Sequence, residues 1–382
     1  MGSSSFKQWT TGQDGIDKIQ LGEAEMPTPK DGEVLVKIHA VSLNFRDTEV
    51  CNGEYGHHKS LGQSSTLVPC SDMCGVVTES RSPRFKSGAR VLSIFNQTHL
   101  TGQVRESDMA SGLGLPLQGV LAEYRVFPAD GLVACPEYLS DEEASCLPIA
   151  GVTAWMSING FQPLGQPLDF TKGGNNNNNN NNNNKDEVPT VLVQGTGGVS
   201  VAGLQIAHAA GLRTIVTSSS DEKLDRAKRD LGASTAINYR THWAWQDAVM
   251  ETTGNRGADY IFEVGGARTL RKSFDCVAFG GTIACIGYLS GKQEEEADPE
   301  GGGGGAGGRL NVNVMALRRN VTLKGILNGP RDRFEEMLGF YRSKGIRPVV
   351  SKVFGFDEAR DALRYLAEGK HFGKVVIKVA GD

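Results

Sequence analysis

The sequence predicts an α/β protein of two parts: a doubly wound parallel sheet with helices on both faces, and a small β-barrel of short strands. Three observations predict it. Between roughly residues 155 and 327, strand-like apolar runs alternate with helical runs, the pattern of parallel strands joined by crossover helices. One of those runs, Thr190-Val191-Leu192-Val193, leads into the glycine turn Gln194-Gly195-Thr196-Gly197-Gly198-Val199-Ser200 and then an apolar helical stretch to Gly211. Before residue 155, short strands are separated by glycine and proline turns, as in small barrels. A chain of 382 residues suits two domains.

In chain order, Val34 to Val41 is a strong strand after the turn Pro29-Lys30-Asp31-Gly32. Ser42 to Asp47 leads into a short helical piece that ends near Asn52-Gly53. Strands follow within Val68 to Val77, Gly88 to Ile94 and Gly119 to Val126. Ser140-Asp141-Glu142-Glu143 is a capping box whose helix runs to Pro148, and a second helix starts at Gly151. The alternating region supplies strands at Val191–Gln194, Thr214–Thr217, Thr235–Ile237, Tyr260–Val264, Thr282–Ile286 and Val321–Gly325. Asp332 to Gly345 is helical, with Phe334, Met337, Leu338 and Tyr341 on one face. Pro348 to Phe354 is strand-like. Asp357 can cap a helix ending at Gly369, and Phe372 to Ile377 is a last strand.

The glycine turn carries the first functional expectation. Strand, glycine turn, helix and second strand (Thr214 to Thr217) make half of a dinucleotide-binding unit. Glycines allow the tight turn, and the following helix aims its N-terminal N–H groups at a pyrophosphate. Gly195 and Gly197 fit the spacing, while Ser200 stands at the third glycine position. A glycine-rich turn without a ligand is the plain alternative. At the tip of the second strand, where a carboxylate would select NAD, the chain has Thr217-Ser218-Ser219-Ser220 with Lys223 behind. Hydroxyls and a lysine suit a 2′-phosphate, so NADPH is the expected cofactor. Ser219 or Ser220 can equally cap the helix opening at Asp221.

Composition narrows the classes. A formal net charge of −4 without a basic patch argues against nucleic acid, and no apolar run reaches membrane length. Met1-Gly2-Ser3-Ser4-Ser5 does not read as a secretory signal, and Gly2 is a weak myristoylation match. The seven cysteines, Cys51, Cys70, Cys74, Cys135, Cys146, Cys276 and Cys285, show no framework spacing, which suits reduced thiols in a cytoplasmic protein. Ten asparagines, Asn175 to Asn184, and the acidic and glycine-rich run Lys292 to Gly308 lack the apolar residues of a core, and read as disordered surface insertions.

Taken together, Val41 to Asp47, Ala150-Gly151-Val152-Thr153-Ala154-Trp155, Val191 to Ser200, Thr217 to Lys223, Ile237 to Arg240, Glu263 to Gly266 and His371 to Val376 resemble the medium-chain dehydrogenase/reductase superfamily, the alcohol dehydrogenase and quinone oxidoreductase group. The resemblance implies a Rossmann domain, residues 155–327, inserted in a GroES-like barrel domain built from residues 1–154 and 328–382. It implies an active site in the cleft between them, a small-molecule substrate and a homodimer. Asn44 and Arg46 would lie near the nicotinamide, and Tyr55 is a candidate donor to the substrate oxygen or simply a packed aromatic. Asp47 more readily orients Arg46 or caps a helix than moves protons. Thr153 would approach the nicotinamide, or is an ordinary helix position. Gly195, Thr196, Gly197, Gly198 and Val199 would bind pyrophosphate, with Ser218, Ser219, Lys223 and Tyr239 around the 2′-phosphate. Gly265, Gly266, Ile286 and Tyr288 would touch ribose and nicotinamide. Lys374, after Gly373, would reach the cofactor, or is a solvated lysine.

The departures from that family bear on mechanism. Its zinc-dependent members carry Cys where this chain has Asn44, and His-Glu where it has Ser71-Asp72; the cysteines of a structural zinc lobe are absent from Phe95 to Gln118. Cys70 and Cys74 with His57 or His58 lack ligand spacing, so no metal is expected. Hydrogen-bond donors would then stabilise the oxygen that gains charge. That favours zinc-independent, NADPH-dependent reduction of an activated C=C or a quinone. An NADP-linked alcohol dehydrogenase using side-chain acid–base chemistry, and an NADPH-binding sensor with little catalysis, are the alternatives.

Overall fold

The computed structural model describes residues 5–56, 66–171, 188–291 and 310–380. Gly2, His57, His58, the asparagine run and the Lys292–Gly308 run, all singled out above, lie outside the described residues. The chain forms two compact units: Met1–Trp155 with Gly197–Ala202 and Asn328–Asp382, and Met156–Thr196 with Gly203–Leu327.

The second unit holds a six-stranded sheet in the order Thr235–Asn238, Arg213–Ser218, Thr190–Gln194, Ala258–Glu263, Val277–Cys285, Thr322–Gly325. Every neighbouring pair is parallel. All six expected strands are there. Val277–Cys285 starts five residues before the expected Thr282, while Val264, Ile286 and Val321 fall just outside their strands. Thr190–Gln194 is buried along its whole length, as a strand covered on both faces must be. Successive strands are added outward in opposite directions on its two sides, so the ends of Thr190–Gln194 and Ala258–Glu263 flank the switch point where ligands of such sheets bind. Gly203 in the helix Gly198–Ala209 is a packing glycine: a Cβ there would meet the Phe262 ring at 2.4 Å.

The first unit is mostly antiparallel. Its seven-stranded sheet runs Val350–Gly355, Lys374–Lys378, Glu33–Leu43, Asp72–Ser80, Arg90–Ser93, Leu132–Ala134, and Tyr124–Pro128 also pairs with Glu33–Leu43. A hairpin-like pair, Ser5–Thr10 with Gln20–Glu25, stands apart. Lys374–Lys378 lies antiparallel to Glu33–Leu43, with Val375 opposite Leu43, so the last strand of the chain joins one of the first.

Several local expectations shift. The expected strand at Gly119 begins only at Tyr124, because Gly119, Val120 and Leu121 spend their N–H groups on Val68, Pro69 and Cys70 instead. The helix opened by Ser140 does not stop for good at Pro148. Asp141–Ser145 passes into a wider π-helical turn, Leu147–Gly151, and then into Val152–Asn159. Pro148 is tolerated because it sits in the first turn of that segment, where its missing N–H costs little. The short helix Val312–Arg318 and the strands Ser5–Thr10 and Leu132–Ala134 carried no clear pattern in the sequence. No helix among the described residues is long and apolar enough to cross a membrane.

Gly203→Val should destabilise the second unit by about 1–3 kcal/mol through overpacking on Phe262. Chemical denaturation of the variant beside the wild type reads this directly, and an unchanged midpoint would refute the packing role.

Candidate active site

The glycine turn is built by Gly195, whose φ of +75° suits glycine and whose N–H donates to the Thr217 carbonyl at 2.7 Å. A side chain at Gly195 would meet nothing within 4 Å, and one at Gly197 only His371 Nε2 at 3.9 Å. The turn therefore leaves room beside its backbone that protein does not fill, which fits a phosphate group held by N–H donors. Thr196 and Ser200 are buried, and Val199 is half-buried in the first helical turn. Gly198 answers to a different need. A Cβ there would lie 2.5 Å from Cδ of Lys374, so this glycine makes way for a lysine stem.

Ser218, Ser219, Lys223 and Tyr239 come together at the end of the second strand. Parallel pairing puts Asn238 opposite Ser218, and the Tyr239 N–H donates to the Ser218 carbonyl at 3.1 Å. Ser220 is the helix cap, accepting from the Lys223 N–H at 3.3 Å, while the Ser218 hydroxyl accepts from the Ser220 N–H. That leaves Ser219 half-buried between them. Burial holds the Lys223 ammonium below its usual range, against the opposing pull of Glu222. Asp221, the nearest carboxylate in sequence, accepts from the Asn238 amide at 2.7 Å.

Glu263 escaped the sequence reading as a functional residue in its own right. It ends the strand Ala258–Glu263 and is buried. Its Oε1 accepts from the Gly265 and Gly266 N–H groups at 3.0 and 2.9 Å and from the Thr269 hydroxyl; Oε2 accepts from Gln194 Nε2 at 2.8 Å and from the Ser273 hydroxyl. Five donors thus converge on one carboxylate, which shapes the Gly265-Gly266 turn. Gln194 Oε1 adds acceptance from Val264 and Gly265. Gly266, at φ +90°, must lack a Cβ because Tyr288 Cα would stand 2.8 Å from it. Ile286 and Tyr288 are half-buried beside this turn, with the Ile286 N–H on the Glu263 carbonyl. The available signal was an acidic residue closing an apolar strand just before two glycines.

In the first unit, register decides the chemistry. Val375 opposite Leu43 brings Lys374 to Asn44, and Ser42 opposite Asp72 brings that carboxylate to the same place. Lys374 is neither solvated nor extended toward solvent: it is 6 % exposed. Its Nζ donates to the Leu43 carbonyl and to Asn44 Oδ1, both at 2.6 Å, and lies 4.0 Å from Asp72 Oδ2. Asp72 accepts from the Ser71 hydroxyl and the Ile149 N–H. Burial raises the Asp72 carboxyl and the Lys374 charge opposes it.

Arg46 is held by protein on several sides. Its guanidinium is sandwiched between the Tyr55 and Phe95 rings, 4.8 and 4.7 Å from their centroids, and donates to the Leu113 and Leu115 carbonyls. The Tyr55 ring packs against Val50, Leu67 and Leu115. Asp47 caps, accepting the Asn44 N–H at 2.8 Å, and lies 3.6 Å from Arg46 Nη1. Thr153 is a buried helix position whose hydroxyl faces the Asn328 amide at 3.4 Å.

A zinc ion does not fit these residues. Zinc selects thiolate, imidazole and carboxylate in a tetrahedron. Around Asp72 stand an amide, a hydroxyl and an ammonium that already supplies the positive charge. Among the described residues no group of three His, Cys, Asp or Glu side chains is disposed to hold a metal.

Two expected outcomes follow from this geometry. Glu263→Ala should cost at least about 2 kcal/mol, because it strands several buried donors; thermal unfolding checks it, and a near-neutral result would deny the hub. Asp47 is fully buried, and desolvation raises its carboxyl from 3.8 to about 6, opposed by Arg46 and the Asn44 N–H. The fold favours the protonated form, so this contribution is complete below the unfolded value and is lost as pH rises through about 6. Asp47→Asn should flatten stability across that window, measured by denaturation at stepped pH.

Comparison with known proteins agrees with this architecture. The family described as zinc-binding dehydrogenase matches residues 198–343, and the alcohol dehydrogenase GroES-like domain matches residues 30–137. A zinc-type alcohol dehydrogenase-like protein of Schizosaccharomyces pombe is 37% identical over 368 residues, 96% of each chain. A crystal structure from Sinorhizobium meliloti, named for alcohol dehydrogenase, superposes with a TM-score of 0.81 at 36% identity, covering 99% of this chain and 100% of that one. A mycobacterial protein complexed with NADPH shares the fold, with a TM-score of 0.72 at 22% identity over 98% of this chain and 100% of its own. With a GroES-like domain, a parallel nucleotide-type sheet and relatives matching end to end, the chain belongs to the medium-chain dehydrogenase/reductase superfamily and is an oxidoreductase of that family.

Proposed function

We propose that this oxidoreductase uses NADPH, without zinc, to reduce an activated C=C bond or a quinone. The observation that carries the reading is the cluster Asn44, Asp72 and Lys374, where the one carboxylate is matched by an ammonium and an amide instead of further metal ligands. Without a Lewis acid, an acceptor that spreads its developing charge into an enolate or hydroquinone is the one that hydrogen-bond donors can serve.

The residues support a pyridine nucleotide. Gly195, Thr196, Gly197 and Val199 would hold the pyrophosphate in the space beside the turn. Gly265, Gly266, Ile286 and Tyr288 would border the ribose and nicotinamide, on a loop shaped by Glu263. When bound, the nucleotide supplies the hydride. Preference for NADPH rests on Ser218, Ser219, Lys223 and Tyr239, which offer two hydroxyls, an ammonium and a phenol to a 2′-phosphate.

NADPH should bind more tightly than NADH, and Lys223→Glu should narrow the gap by about tenfold or more, as loss of a charge-assisted contact predicts. Fluorescence titration with both nucleotides decides this; an unchanged ratio removes the phosphate pocket. Elemental analysis of the purified chain should find zinc far below one equivalent, and turnover of NADPH with enones and quinones should exceed that with simple aldehydes.

A further inference from the structure

Lys374 and Asn44 hold each other in one arrangement. An ammonium carries donors and no acceptor, so the amide atom facing it at 2.6 Å must be Oδ1. Turning the amide over would set NH2 against NH3+. The Asn44 Nδ2 is thereby fixed on the opposite side. It is buried and faces the Asp72 carboxylate, its one hydrogen-bonding neighbour among the described residues, without reaching full hydrogen-bond geometry to any protein acceptor. Asn44 is 8 % exposed, and a buried NH2 whose two hydrogens are not both matched by protein acceptors is rare unless something else supplies one.

Lys374 has little freedom to leave. Its N–H is tied to the Val349 carbonyl at 2.9 Å, and Val375 is locked opposite Leu43. Gly373, at φ +87°, brings the chain so close to Val349 that a Cβ would lie 2.4 Å from its carbonyl oxygen. The stem passes over Gly198, where any side chain would collide with it.

We propose that Lys374 is a positioning residue: its buried ammonium locks and polarises the Asn44 amide so that Nδ2–H is the donor to the substrate oxygen that gains charge. The assignment rests on the hydride-transfer reading above. It gives the acceptor a single aimed donor, with the cation one bond behind it and no metal in the site.

The test uses NADPH with 1,4-benzoquinone and 2-cyclohexen-1-one as probes. Asn44→Ala should lower kcat by roughly 10²-fold, the usual loss for one such donor, with NADPH affinity nearly unchanged. Lys374→Met should lose most of the same activity and Lys374→Arg should recover part of it. Because Lys374→Met strands Asp72 without a cation, the charge-neutral Lys374→Met/Asp72→Asn variant is made beside it. In that background Asn44→Ala should cost no more than about twofold further, since an unaimed amide has little left to lose. Equal losses in both backgrounds would overturn the proposal. A second readout needs no turnover: hydrogen exchange at the Asn44 side-chain amide, followed by NMR and assigned by its loss in Asn44→Ala. It should be slow in the wild type and at least tenfold faster in Lys374→Met/Asp72→Asn; equal rates would also overturn it. A wild type that binds NADPH yet reduces neither probe refutes the reductase reading and the donor role, while the exchange rates still decide whether Lys374 fixes the amide.

Discussion

The antiparallel pairing of Lys374–Lys378 with Glu33–Leu43 is the constraint from which the site in the first unit follows. Shift that register by one residue and every side chain of the strand changes face. Lys374 would leave Asn44 and Asp72, and a valine would take the place of a charge. The register is held by burial: Val375, Val376 and Ile377 are all fully enclosed, so sliding would bring a charged end of the strand into the core. A polar site is thus placed by apolar neighbours.

The two units solve the problem of a buried charge in opposite ways. Glu263 is an acceptor surrounded by five donors from backbone and side chains. Lys374 is a donor met by a carbonyl and an amide oxygen, with a carboxylate farther off. Each charge is tolerated because its own hydrogen-bonding capacity is met in place. Each also fixes a segment that has no regular structure of its own: the Gly265-Gly266 turn in one case, the Asn44 side chain in the other. Rigid placement of such groups is what electrostatic stabilisation of a developing charge requires.

Much of the fold was legible before the structure. Parallel strands announce themselves as apolar runs, and the glycine turn, the Ser220 cap and the left-handed Gly345 end of the helix Arg331–Lys344 follow from local chemistry. The site was legible only in part. Ser218 and Tyr239 meet because neighbouring parallel strands end together. Lys374 was expected to reach a cofactor or to be a solvated lysine, because nothing within ten residues of it reveals a partner 330 positions away. The partners of Arg46 were hidden for the same reason: Phe95, Leu113 and Leu115 lie in a stretch without periodicity. Local pattern reports what a segment can form, whereas the partner of a buried charge is set by register between distant strands.

The glycines of the turn show what this means for reading a motif. Gly195 needs its left-handed backbone, and both Gly195 and Gly197 border unfilled space. Gly198 borders the Lys374 stem instead. A reading of the turn as one ligand-binding feature treats the three alike, although Gly198 is explained by a side chain contributed from the far end of the sequence. Replacing Gly198 would therefore act first on the ammonium and the amide it holds, and only through them on any bound nucleotide. Its requirement for glycine belongs with Asn44, Asp72 and Lys374, as part of the arrangement that seats a fixed positive charge beside a buried carboxylate.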